Sequence, residues 1–252
     1  GVQYRHLLVQ KGGALEDEAG LNVNPPHDIT DKPIKPDLMT FSRSARLWDL
    51  LHGAAERLMA KTNKTKANSI WPWGQGRPLN LPDFRKTFGP RGAVISAVDL
   101  VRGLGRAAGM EVLEVPGATG LLETNYQGKV DAALKFLETG DFVFVHLEGP
   151  DECGHAGNAK DKTEAIARFD ARIVGPLRQA LGDEAAWMVA CDHYTPIKEK
   201  THTPDPVPFL FLAPGVQGSG LQAFSEALAG ETGLFLEQGH GLLPWCLERM
   251  GK

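Results

Sequence analysis

Apolar and polar positions along the chain fall into two regimes. In the first, Leu47, Leu50, Leu51, Ala54, Ala55 and Leu58 recur at three- and four-residue spacing. That period predicts an amphipathic helix over 42–61, with Ser42 or Ser44 as its N-cap. Upstream, Leu7-Leu8-Val9 is a short strand candidate, and residues 22–36, rich in Pro, Asn and Asp, read as a long loop. Downstream, Trp71 to Pro78 breaks the helical pattern. Gly74-Gln75-Gly76 is too short for a nucleotide-binding fingerprint and reads as a hinge or turn. From about residue 83 strands and helices alternate. Strands are expected at 93–96, 111–115, 141–147, 186–191 and 207–212. The run 141–147 is apolar enough to be a buried central strand. Helices are expected at 98–108, 128–137, 160–181, 221–229 and 242–250, the third with Ala165, Ile166, Phe169, Ile173 and Leu177 toward the core. This alternation predicts an α/β fold, a mostly parallel sheet with helices on both faces. Ligands of such sheets bind at the carboxyl ends of the strands.

Composition narrows the partners. The 252 residues are 42% hydrophobic, enough to bury a core, and carry a formal net charge of −4 without a Lys/Arg run. Binding to nucleic acid or to a membrane surface is therefore not expected. No stretch is long and apolar enough for a bilayer-spanning helix, and the first residues lack the apolar core of a signal peptide. Three cysteines, Cys153, Cys191 and Cys246, make no disulfide framework and fit a reducing, cytoplasmic compartment. The chain starts without an initiator Met, which implies that something before Gly1 was removed.

Three short segments concentrate the chemistry. They are His146 to His155, Cys191-Asp192-His193, and Thr201 to Pro208. The first two follow expected strands and the third leads into one. Asp and His are good ligands for a divalent cation. Asp151 and His155 are four apart, so on a helical turn they share a face. Asp192 and His193 end an apolar strand at the sheet edge. A turn-capping Asp and a surface His explain that pair equally well when it is taken alone. Asp151, His155, Asp192, His193 and His202 together supply five N/O ligands, most of two metal sites. Paired cations suit the clamping of a transferring phosphoryl group. His146 reads as a hydrogen-bonded neighbour of the ligands. Cys153 and Cys191 read as small buried residues. Thr119, between Gly117 and Gly120, reads as a turn residue more readily than as a nucleophile.

These segments resemble the metal motifs of the cofactor-independent phosphoglycerate mutases of archaeal type, within the alkaline phosphatase superfamily. The resemblance rests on Pro150 to His155, Asp192-His193 and Thr201 to Phe209. It extends collinearly to Gly1 to Val9, Ala93 to Gly105, Gly117 to Gly120 and Asn125 to Lys129. It implies that Asp151, His155 and His202 bind one ion and that Asp192 and His193 bind a second, Mn²⁺ first, with Zn²⁺, Co²⁺ or Mg²⁺ as alternatives. It implies substrate contacts from Arg5, His6 and Lys129. A surface pair explains Arg5 and His6 equally well, and Lys129 reads somewhat more readily as a solvated lysine at a helix start. The resemblance implies interconversion of 2- and 3-phosphoglycerate through a phosphoserine. It also implies that residues 1–82 are the end of an inserted substrate-capping domain. Residues 83–252 would then be the C-terminal part of the metal-binding, alkaline phosphatase-like domain. The family's N-terminal strand and serine motif have no counterpart here. The expectation is a chain inactive alone, its partner segment carrying the nucleophile. A phosphatase, another phosphomutase and a non-catalytic metal-binding fragment are the competing readings.

Overall fold

The computed structural model of the protein describes residues 6–60 and 66–251. The chain divides into two compact units, Gly1–Leu79 and Asn80–Lys252.

The first unit carries α1 (Glu16–Ala19), α2 (Lys35–Phe41) and α3 (Ala45–Ala60). Buried Val23, Phe41 and Leu51 form its small core, with Leu38, Leu47, Trp48 and Trp71 packed around them. Ser44 sits just before α3, fully buried, and its hydroxyl accepts from the Leu47 amide at 3.4 Å. Of the two cap candidates, Ser44 therefore holds the position. Ser42 instead closes α2, which the sequence pattern did not predict. The strand expected at Leu7-Leu8-Val9 does not form, and all three side chains are exposed. Among the described residues of that segment, no second strand pairs with it. Lys61 lies outside the described residues.

The second unit begins with α4 (Phe84–Phe88), whose N-cap Asp83 accepts from the Lys86 amide. It continues through β1 (Gly92–Ile95), α5 (Asp99–Ala107), β2 (Glu111–Val112), α6 (Tyr126–Leu137), β3 (Phe142–Val145), α7 (Gly149–His155), α8 (Ala159–Phe169) and α9 (Gly175–Leu181). It closes with β4 (Trp187–Ala190), β5 (Phe209–Leu212), α10 (Glu226–Glu231) and α11 (Leu242–Arg249). Strands β2, β1 and β3 are parallel in that order, and β4 and β5 form a separate antiparallel pair. The two layers of helices follow from the alternation of side chains along β1. Val94 packs under Gly105 of α5, where an added Cβ would meet its methyl at 2.7 Å. Ile95 points the other way, into a cluster with Val130 and Ala133 of α6 and with Ile173 and Leu177.

Two expectations about burial change. The apolar run predicts a buried central strand at 141–147, but β1 is central among the described strands. β3 has a neighbour on one side only, and Phe144 is 40% exposed. The helix expected at 160–181 is continuous but contains a π-helical turn, Asp170–Val174, closed by the Gly175 amide on the Asp170 carbonyl. That wider turn keeps residues four apart in one line across it. Ala165, Ile173 and Leu177 are thus buried, while Ile166, one position off the line, is 53% exposed. Strand β2 and helix α10 are also shorter than the pattern suggested. Among the described residues, no helix is long and apolar enough to cross a membrane.

Candidate metal centre

Strand β3 delivers the first segment. The ladder continues past its end, with the His146 amide donating to the Ile95 carbonyl at 2.8 Å. Pro150 then starts α7, with Asp151 and Glu152 in the first turn and His155 in the last. Proline and acidic residues suit a helix start, and a histidine suits its end. One helical turn therefore brings Asp151 and His155 onto one face, with His155 Nε2 3.4 Å from Asp151 Oδ2.

The other two segments are joined by the antiparallel β4–β5 pair. An isolated bridge between Tyr194 and Thr203 prolongs the pairing into the loop, the Thr203 amide donating to the Tyr194 carbonyl at 3.1 Å. His193 and His202 flank that bridge, and their rings stack with centroids 3.6 Å apart. His202 Nε2 lies 3.5 Å from Asp151 Oδ1 and 3.1 Å from His155 Nε2. Asp151, His193 and His202 each offer a ligand atom within 4.8 Å of the others. Asp192 stands apart from this group: its side chain is 81% exposed, and it meets the cluster through His193 Nε2 at 3.4 Å.

The donor set fits a cation. His155 Nδ1 lies 3.0 Å from the Lys200 carbonyl oxygen. A carbonyl only accepts, so Nδ1 carries a proton, and in the neutral ring Nε2 turns a lone pair toward His202 and Asp151. Imidazole nitrogens facing one another beside a carboxylate need a proton or a cation between them. Backing a ring N–H with a carbonyl is how metal-binding histidines are held. Borderline divalent ions suit such a mixture of nitrogen and oxygen donors.

The surrounding groups tie the segments together. Thr195 is buried, and its hydroxyl donates to Asp151 Oδ1. Ser96 Oγ lies 3.1 Å from His146 Nδ1. Burial pushes the His146 imidazole below its ordinary pKa, while Asp192 and Asp151 pull it back up and Lys129 adds to the fall. Lys129 is 1% exposed, and its ammonium donates to the His146 carbonyl at 2.9 Å. Burial brings its pKa down to about 8, opposed by the Glu148 carboxylate.

Of the residues singled out from sequence, the structure gathers Asp151, His155, His193 and His202, with Asp192 at the rim. Lys129 lies beneath the turn leading to Asp151. His6 is exposed, and Arg5 lies outside the described residues. Cys153 is buried as expected, but Cys191 is exposed, because it follows β4 where the strand leaves the sheet. Thr119 uses its hydroxyl within its turn, donating to the Glu123 carbonyl and accepting from the Leu121 amide. Sequence reasoning missed Thr195 and Ser96. A hydroxyl two residues beyond a candidate ligand was the available signal for Thr195.

Asp and His donors gathered past the ends of β3 and of the antiparallel β4–β5 pair make this a metal-binding α/β core. The family model described as Metalloenzyme superfamily matches residues 29–238, and the chain belongs to that superfamily. It is 43% identical over 260 residues to a probable 2,3-bisphosphoglycerate-independent phosphoglycerate mutase of Geobacter sulfurreducens, covering 99% of this chain and 64% of that protein. It is 42% identical over 254 residues to a 2,3-bisphosphoglycerate-independent phosphoglycerate mutase of Methanothrix thermoacetophila, covering 96% of this chain and 64% of that one. A solved structure of a Pyrococcus horikoshii protein superposes with a TM-score of 0.64 at 33% identity, covering 68% of this chain and 52% of that chain. The chain thus spans less than two thirds of the length of these curated relatives.

Proposed function

We propose that this chain supplies the metal-binding part of an enzyme that interconverts 2- and 3-phosphoglycerate. The observation that carries the reading is the meeting of Asp151, His155 and His202, with His193 stacked alongside. In this reading Asp151, His155 and His202 hold one divalent ion, and Asp192 with His193 holds a second, Mn²⁺ being the first candidate. Bound ions would supply neutralisation of phosphoryl oxygens and a lowered hydroxyl pKa. The phosphoryl-accepting serine comes from outside these 252 residues, as the likeness to the longer mutases suggests. Residues 1–82 are the end of a substrate-capping insertion, and Arg5, His6 and Lys129 are the candidate substrate contacts. The cytoplasm is the compartment that fits a phosphoglycerate substrate.

The protein's own groups do the orienting. The Lys200 carbonyl fixes the His155 tautomer. Lys129 and Ser96 brace the His146 turn from which α7 springs. The test is His202→Ala in the full-length protein. Expected is loss of mutase turnover together with loss of retained metal. Near-normal turnover in that variant refutes the assignment, and release of inorganic phosphate without isomerisation by the unaltered protein favours a phosphatase instead.

A further inference from the structure

We infer that Thr195 is the positioning residue of the centre, its single hydroxyl fixing both the Asp151 carboxylate and the tautomer of His193. The inference rests on the metal-binding reading above, although one of its consequences can be measured without metal.

The hydroxyl has one proton, and that proton is given to Asp151 Oδ1. Toward His193 Nδ1, 3.3 Å away, the same oxygen can then only accept. His193 must therefore carry a proton on Nδ1, and in the neutral ring that leaves Nε2 as a lone pair beside Asp192 Oδ2 at 3.4 Å. Thr195 thus does for His193 what the Lys200 carbonyl does for His155. It does so while holding a carboxylate oxygen on the other side of the centre.

Thr195 is itself held on two sides. It is 3% exposed. Its carbonyl accepts from the Lys162 ammonium at 2.6 Å. Gly154 of α7 lies against it so closely that a Cβ there would stand 2.5 Å from the Thr195 carbonyl oxygen and 2.9 Å from its Cβ. Helix α7, helix α8 and the loop after β4 therefore all meet at this residue. A hydroxyl in so fixed a place is suited to choosing a tautomer, because it has no freedom to reorient toward water.

The experiment compares Thr195→Val, of nearly the same shape, with Thr195→Ser, which keeps the hydroxyl. Nitrogen-15 NMR of the imidazoles in metal-free protein, with His193 assigned through His193→Gln, reads the tautomer directly. Expected is a His193 proton on Nδ1 in the unaltered protein and in Thr195→Ser, and loss of that preference in Thr195→Val. Calorimetry with Mn²⁺ then reads the second consequence: affinity about 10–100-fold weaker in Thr195→Val and near normal in Thr195→Ser. A His193 proton on Nε2 in the unaltered protein overturns the inference, as does a Thr195→Val protein with unchanged tautomer and unchanged affinity. If the tautomers behave as expected but the unaltered protein binds no Mn²⁺, the metal-binding reading falls, while the positioning of His193 stands.

Discussion

Lys129 offers the sharpest test of the energetics beneath the centre. It is one of the largest fully buried side chains, and its ammonium has the His146 carbonyl and the Glu148 charge for company. Burial brings its pKa from 10.5 to about 8. The unfolded chain then binds the proton more tightly than the folded one between those two values. Stability should accordingly rise with pH across that window, the penalty being fully present below pH 8 and gone above 10.5. The ceiling on this penalty is about 3 kcal/mol. Partial screening of the ammonium reduces the expected effect to about 1–2 kcal/mol. The perturbation is Lys129→Met, which keeps the length of the chain and removes the charge. Urea unfolding of both proteins, followed by circular dichroism from pH 7 to 10, gives the two stability profiles. Other groups titrate in this range, so the informative quantity is the difference between the profiles. The unaltered protein should gain on the variant as pH rises. Parallel profiles would refute the claim that Lys129 is buried with its charge under strain.

Two further substitutions probe the framework. Asn125 caps α6 by accepting from the Gly128 amide at 2.9 Å and donates to the Pro116 carbonyl at 2.8 Å. Asn125→Ala should lower unfolding stability by about 1–2 kcal/mol, read from the urea midpoint at unchanged m-value. Gly154→Ala forces a methyl against the Thr195 backbone. About 1–3 kcal/mol of destabilisation is expected, with weakened Mn²⁺ binding, and a thermal midpoint unchanged from the parent would contradict the close approach.

Most strands and helices of the second unit were legible because their apolar runs are short and follow a single period. The short α4 and α7 carry too few apolar positions to show one. The runs of β4 and β5 do not tell that the two pair antiparallel, apart from the parallel sheet. The edges were less legible. A run such as 141–147 has the same composition whether one or both of its sides are paired, so sequence could not tell that β3 is bordered, among the described residues, by β1 alone. The shift of Ile166 to the surface depends on the π turn beyond it, and local periodicity does not report such a turn. At the centre, the ligand types and their grouping were readable from Asp151, His155, Asp192, His193 and His202. The roles of Thr195 and the Lys200 carbonyl were not. They arise from the bridge between Tyr194 and Thr203, a contact between positions nine residues apart in a loop with no periodic signal. In the first unit, α2 escaped notice because a Pro near its start and its seven-residue length give little pattern to read.

The π turn at Asp170–Val174 also decides what this helix can tolerate in evolution. This wider turn holds one residue more than an ordinary one. Removing one residue there would restore an ordinary helix and leave α8 and α9 in nearly the same relation, so Leu177 would keep its place beside Tyr126 and Val130. Removing a residue from α8 or α9 would instead rotate everything beyond it by about 100° around the axis. Length variation among relatives should therefore be tolerated at these five positions and avoided in the helical stretches on either side.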